Sequence, residues 1–312
     1  MIICVAANPS VDKLFEVDEV TVGAIHRPLA FVQVPGGKGL NVARAAHALG
    51  ADVTATGLLA GHAGRWIEEA LAAEGVSARF AWIDGETRAS LSVAARDHEG
   101  LTEFYEAGAD VGSEGWTLLE DLVGALLGDA TWLTISGNAP PGAPRDGYAR
   151  LVEMARDAGV PVALDARDEA LEVAVGSGPE LVKVNAEEAG ALFGTAIDSI
   201  RAAADAAAAI RDRLPSSAAA IVTRGAEGAV VASADGSVVH ARLYARGSYP
   251  VGSGDAFLGG LITGLEGGEG WDPALRLALG AAAANAEMAG AGRLDPARAG
   301  VLAGEASILP LR

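Results

Sequence analysis

The chain predicts an α/β protein, with a mostly parallel central sheet between two helical layers and a small second sheet beside it. Three observations carry this reading. Short β-rich runs alternate with helical stretches over most of the 312 residues. Those runs are almost continuously apolar, as strands covered on both faces must be. Two strand pairs in the first 108 residues have no helix between their members.

Residues 2–6 form the first run. They are apolar but too few, and lack the basic flank, to be a signal peptide. Further strands are expected at 53–57, 132–135, 160–164, 181–184 and 220–223. Helices are expected at 40–49, 63–74, 145–157, 186–193 and 199–214. A hairpin, 228–232 with 238–241, turns at Asp235-Gly236 and precedes helices starting near Ser253, Asp272 and Asp295. The pairs that break the alternation are 15–20 with 29–34, and 88–95 with 101–105. They form a small sheet projecting from the main body. No Gly-, Ser- or Pro-rich linker, charge block or repeat divides the chain. A single domain over 1–312 is expected, with a lid from about 12–35 and 86–108.

Half the residues are hydrophobic, enough for a full core, and the formal net charge is −18. Nucleic acid and anionic membranes repel that charge, so neither is an expected partner. Cys4 is the single cysteine, which excludes an intrachain disulfide and a Cys-type zinc site. It lies in an apolar run and reads as inert core. No uncharged apolar stretch approaches bilayer length, so a cytoplasmic protein is expected.

Common nucleotide and hydrolase motifs are missing. Val32 stands where the first glycine of a P-loop would precede Lys38, and Gly252-Ser253-Gly254 is followed by Phe257 rather than a third glycine. There is no H-E-x-x-H and no G-x-S-x-G elbow, and the five histidines lack metal spacing. A dinucleotide-dependent oxidoreductase is therefore disfavoured.

The strongest positive signal is Val251-Gly252-Ser253-Gly254-Asp255-Ala256-Phe257, opening a helix. Two glycines let the backbone approach a ligand, and the helix start points N–H groups at it, a cradle for phosphate. Asp255 in the first turn is either a catalytic carboxylate or an ordinary dipole-favouring residue. The second signal is Pro35-Gly36-Gly37-Lys38-Gly39-Leu40-Asn41-Val42-Ala43, again a glycine turn into a helix. Lys38 and Asn41 offer donors there, and lysine is scarce: only Lys13, Lys38 and Lys183 occur. The third is Asn8-Pro9-Ser10-Val11-Asp12 after the first strand, where ligands bind in open parallel sheets. Asp12 either accepts sugar hydroxyls or closes an Asx turn.

Gly36 to Ala43 together with Gly252 to Phe257 resemble the two signature motifs of the ribokinase-like (PfkB) carbohydrate kinases, in order and spacing, and the likeness runs over essentially the whole chain. Intermediate stretches resemble the branch with 1-phosphofructokinase and tagatose-6-phosphate kinase: Asn8 to Asp12, Thr87-Arg88, Thr102-Glu103-Phe104, Ser136 to Gly142, Lys183 to Glu188, and Thr223 to Gly228. The resemblance implies a ribokinase-like fold with a β lid, and phosphorylation of a sugar hydroxyl with ATP and Mg²⁺. It places the base on Asp255, held weakly basic by its helix N-terminus, and the phosphoryl cradle on the N–H groups of Gly252, Ser253 and Gly254. It implies that Asp12, Gly36, Gly37, Lys38, Asn41 and Ser136 hold the sugar, with Arg88 clamping a substrate phosphate. Arg88 on an edge strand could also be a plain solvated cation. Lys183, Asn185, Thr223, Gly225, Gly228, Gly254 and Asn285 would hold ATP, with Asn285 bordering the adenine. Asn185 and Glu188 would hold Mg²⁺ through water. A homodimer through the lid follows by family analogy, helped by apolar Leu29, Phe31, Val32 and Val34.

The chain departs from that branch at several points. Ser253 replaces Ala, Tyr249-Pro250 replaces Asn-Thr, and Val184 replaces Pro. Asn138 and Ala139, the stretch Phe104 to Ala107, and Arg167-Asp168 differ around the expected sugar pocket. The expected activity is ATP-dependent phosphorylation of a phosphorylated ketohexose. A kinase of an unphosphorylated sugar or nucleoside, and a non-catalytic sugar or nucleotide sensor on the same fold, are the alternatives.

Overall fold

The computed structural model describes every residue except 99, 246, 269 and 312. Elements run in the order β1 (Ile2–Ala6), β2 (Ser10–Val17), β3 (Ala30–Gly36), α1 (Lys38–Ala48), β4 (Val53–Leu59), α2 (Gly61–Ala73) and β5 (Ser77–Trp82). Then come β6 (Arg88–Ala95), β7 (Leu101–Tyr105), α3 (Gly112–Leu126), β8 (Trp132–Ser136), α4 (Gly147–Asp157), β9 (Val162–Asp165), α5 (Asp168–Gly176) and β10 (Leu181–Asn185). The remainder is α6 (Ala186–Phe193), α7 (Ile200–Arg211), β11 (Ala219–Thr223), β12 (Ala229–Ala232), β13 (Val238–Arg242), α8 (Ser253–Glu266), α9 (Trp271–Ala286), α10 (Pro296–Glu305) and β14 (Ser307–Pro310).

Ten strands form one sheet in the order β14-β13-β12-β11-β10-β9-β8-β1-β4-β5. Pairing is parallel from β11 to β5 and antiparallel from β11 to β14. The alternation of β1 shows why both faces are covered. Ile2, Cys4 and Ala6 pack with α1, α2, α8, α9 and α10, whereas Ile3 and Val5 pack with α3, α4, α5 and α7. Cys4 is fully buried, and burial pushes its thiol up to about 12, which keeps it inert. No helix among the described residues is long and apolar enough to cross a membrane.

The second sheet has the order β3-β2-β6-β7, with β2 and β6 parallel. β2 begins at Ser10, five residues before the expected start, because Ser10 pairs with both Gly36 and Arg88. Ser10 to Asp12 are therefore strand rather than turn. This places Asp12 and Arg88 on adjacent strands at the base of the sheet.

Four elements were not anticipated. β5 and β14 are sheet-margin strands with half-exposed patterns, so they lack the continuous apolar run of a central strand. α3 carries buried Trp116, Leu119, Val123 and Leu126 at helical spacing, and α5 is a short helix on the same face. The carboxyl ends of β1, β8, β9, β10 and β11 line up along one edge of the main sheet. The crevice outside such an edge is where an open α/β sheet binds ligands.

Candidate active site

Both glycine bends open onto one cleft of ≈ 1160 Å³, which runs along that edge and under the small sheet. Gly37, Lys38, Gly39 and Asn41 line it from α1, and Gly252 to Asp255 line it from α8. The α8 bend needs its glycine: Gly252 has φ +81, and a Cβ there would lie 2.7 Å from Ala291 Cβ. The two bends are tied directly. Asn41 Nδ2 donates to Asp255 Oδ2 at 2.8 Å.

Beneath Asp255 lies a chain of paired charges, buried except for the partly exposed Lys38. Lys38 Nζ donates to Asp165 Oδ1 at 2.8 Å and to Glu188 Oε1 at 2.6 Å. Lys183 Nζ donates to the other Asp165 oxygen at 2.6 Å. Burial alone would push the Asp165 carboxyl up, but the Lys183 and Lys38 ammoniums hold it below the usual carboxylate range. Burial disfavours charge on Lys38 as well, yet Asp165, Glu188 and Asp255 keep it more firmly protonated than usual. Asp255 behaves oppositely. Burial pushes it up to about 7, with the Asp165 charge adding and Lys38, Lys183 and Asn41 opposing. The expected depression by the helix N-terminus is thus overturned by desolvation.

Around the small sheet, Asp12 accepts from Ser10 Oγ at 2.5 Å, and burial raises its carboxyl. Arg88 reaches the Asn8 carbonyl through Nε and Nη2, both at 3.3 Å, and donates from Nη1 to Ser90 Oγ at 3.0 Å. Ser136 lines the same end, and its buried hydroxyl has no partner among the described residues. At the other end, Thr223 closes β11 with Gly225 and Gly228 just beyond it, and Leu279, Ala282, Ala283 and Ala286 make an apolar wall from α9. In all, four cations (Lys38, Arg88, Arg167, Lys183) and four carboxylates (Asp12, Glu106, Glu188, Asp255) line the cleft.

The structure gives several of the expected residues other engagements. Asn285 does not reach the cleft: it is fully buried, donates to the Val251 carbonyl at 2.9 Å and Ser253 Oγ at 3.2 Å, and accepts from the Gly292 N–H at 2.8 Å. These bonds brace the α8 bend. Gly36 is also behind the lining. A Cβ there would fall 2.0 Å from the Asp12 carboxyl carbon, so its part is to leave room for Asp12. The Ser253 N–H is spent on the Pro250 carbonyl at 3.1 Å, while those of Gly252 and Gly254 have no partner among the described residues. Two of the three N–H groups expected to face a phosphoryl are therefore unengaged among the described residues. Asn185 and Glu188 are engaged with each other as the capping box of α6, each side chain bonding the other's backbone N–H at 2.8 Å. Lys183, expected on nucleotide phosphates, lines the cleft but is 2% exposed and paired with Asp165.

Asp165 is the site residue that motif reading missed. Its one signal was a carboxylate at the end of an otherwise apolar strand. The apolar α9 wall was missed too, because its alanines resemble ordinary helix packing.

The pfkB family carbohydrate kinase pattern matches residues 5–298. Phosphofructokinase-2 from Escherichia coli in complex with substrates and products is 26% identical, with 97% of this chain and 98% of that one covered, at a TM-score of 0.89. The same enzyme in complex with potassium gives 25% identity, equal coverage and 0.88. A possible 1-phosphofructokinase from Thermotoga maritima shares the fold at 21% identity, 100% and 99% coverage and 0.90. The chain belongs to the pfkB family of carbohydrate kinases, with a ribokinase-like fold. It is an ATP-dependent sugar kinase.

Proposed function

We propose that the chain transfers the terminal phosphoryl group of ATP to a hydroxyl of a phosphorylated ketohexose. The observation that carries this is the Asn41–Asp255 contact inside a single two-ended cleft. Its volume exceeds the ordinary range for one small ligand, about 300–1,000 Å³, so two substrates fit end to end.

The sugar occupies the end with Asp12, Gly37, Asn41 and Ser136. The partnerless Ser136 hydroxyl supplies a hydrogen bond there. Arg88, beside Asp12 on the small sheet, takes the substrate's own phosphate as a bidentate clamp. Fructose 1-phosphate, tagatose 6-phosphate and fructose 6-phosphate all suit that chemistry. ATP occupies the end with Thr223, Gly225 and Gly228, its base against the α9 alanines. Asp255 accepts the proton of the attacking hydroxyl as the new O–P bond forms and the bond to the ADP oxygen breaks. The free N–H groups of Gly252 and Gly254 take up charge on the transferring phosphoryl. Lys38 and Lys183 hold Asp165 ionised beneath Asp255 and supply positive potential to the same spot.

Mg²⁺ fits this donor set without a protein cage. Among the described residues no cluster of three metal-binding side chains exists, and Mg²⁺ prefers one or two carboxylates with water and phosphate oxygens. Glu188 and Asn185 stand where they would hold it through water, and it would neutralise phosphate charge there. The small sheet closes over the sugar end as a lid and excludes water. Leu29 and Phe31, 51% and 54% exposed, leave that lid with an apolar surface suited to a second copy, although Val34 is buried. Work in the cytoplasm, where ATP is plentiful, accords with this chemistry.

A coupled ADP-release assay over a panel of sugars and sugar phosphates tests the reading. Turnover with a ketohexose phosphate is expected, and Arg88→Ala should raise its KM at least about tenfold while the KM for ATP stays within about twofold. Turnover of an unphosphorylated sugar or nucleoside, indifferent to Arg88, would replace the phosphosugar reading. Binding without turnover on the whole panel would indicate a sensor.

A further inference from the structure

The cleft carries equal numbers of cations and carboxylates, with Asp165 as a further negative charge beneath it. A nucleoside triphosphate adds several negative charges. Most of the cleft's positive charge is already committed. Lys38 is shared between Asp165 and Glu188, and Lys183 is paired with Asp165. Arg88 lies at the sugar end, close to Asp12 and Glu106. Arg167 differs from all three. Its side chain is 52% exposed, and its one ion pair among the described residues, Nε to Asp168 Oδ2 at 3.3 Å, is with an exposed neighbour in the chain. Such a pair is worth little and gives way readily to a multivalent anion.

Its position is equally specific. Arg167 follows β9 by two residues, and β9 stands between β8, which ends at Ser136, and β10, which ends at Asn185. That is the middle of the cleft, between the sugar end and the nucleotide end. The backbone there is held in a costly shape. Asp168 has φ +54, the one positive value outside glycine among the described residues. Such strain persists where surrounding structure enforces it, and it gathers at ligand sites.

With the kinase reading above as premise, we propose that Arg167 binds the phosphate chain of the nucleotide and stays with the phosphoryl group as it transfers. A guanidinium matches phosphate oxygens two at a time, and it adds charge where the two lysines are already shared with Asp165 and Glu188. Arg167 then sets phosphate affinity at the nucleotide end, as Arg88 does at the sugar end.

Calorimetric titration of ADP and of adenosine into wild type, Arg167→Ala and Arg167→Lys tests this. Loss of the guanidinium should weaken ADP about 10- to 100-fold, the scale of charge-assisted bonds, and leave adenosine unchanged. Lysine should restore part of the loss, and the KM of the sugar substrate should hold. Unchanged adenosine binding shows that the variant is folded. ADP affinity within about twofold of wild type in an enzyme that still turns over a sugar overturns the assignment and leaves the kinase standing. A rise in the sugar-phosphate KM with ADP unaffected moves Arg167 to the other substrate, which also overturns it. A wild type that binds neither ADP nor adenosine overturns both readings.

Discussion

Asn41 and Asp255 lie 214 positions apart in the chain, yet the Asn41 amide donates to the Asp255 carboxylate at 2.8 Å. The contact joins the starts of α1 and α8, and both side chains are buried. A neutral donor on a buried carboxylate orients one oxygen and leaves the other free for a proton. The Asn41 side-chain oxygen is buried and has no partner among the described residues.

Asn41→Ala should therefore do two things. kcat should fall about 10- to 100-fold, because the base loses its orientation. The acid limb of kcat/KM should also move to higher pH, because the lost hydrogen bond favoured the ionised form. Steady-state kinetics across pH separates the two effects. A drop in kcat with no movement of the limb would assign Asn41 to substrate alone.

The wild-type pH profile follows from the same carboxylate. Asp255 must be unprotonated to accept a proton, so kcat/KM should rise through about pH 7. Stability should run the other way. The folded-state value lies above the unfolded one, so the native state holds the extra proton between about pH 4 and 7. Asp255 therefore costs the fold progressively more as pH rises through that window. Asp255→Asn should melt a few degrees above wild type at pH 8, and the gap should close toward about pH 4. Thermal melts at both pH values check this. A pH-independent gap would contradict it.

Arg44 holds the frame around the two bends. Its guanidinium is 2% exposed and forks onto Glu74 at 2.6 and 2.8 Å. Nη1 also donates to the Pro35 carbonyl at 3.2 Å and the Ala291 carbonyl at 2.6 Å. Pro35 precedes the first bend, and Gly252 of the second rests on Ala291. Arg44→Met should lower stability by about 3 kcal/mol, since it strands two carbonyls and a carboxylate. Lysine, which lacks the fork, should recover only a minority of that. Urea midpoints measure both. A loss below about 0.5 kcal/mol would show that the frame does not need this residue.

The bends, most of the elements and the family were legible because their signals are local. Glycine runs opening apolar helices, and apolar strands of four or five residues, declare themselves within a short window. The failures have a common cause in tertiary context. Asn285 has the chemistry of an adenine contact, but packing turns its amide onto Val251 and Gly292. Ser253 keeps its backbone N–H, but Pro250 claims it. Asp165 carries no motif, and its importance appears only when Lys38 and Lys183 arrive from α1 and β10. The basicity of Asp255 was misjudged because a helix N-terminus is visible in a sequence and the depth of burial is not. β5 and β14 escaped because margin strands carry the weakest pattern.

The central claim is that Asp255 is the base of a phosphoryl transfer between two substrates in one cleft. The most direct measurement is turnover by Asp255→Asn with its best sugar substrate, beside calorimetric ADP affinity for the same protein. The account predicts kcat reduced by about 10²- to 10⁴-fold or more, with ADP affinity within about threefold of wild type. Turnover near the wild-type rate would contradict it and remove Asp255 from the chemistry.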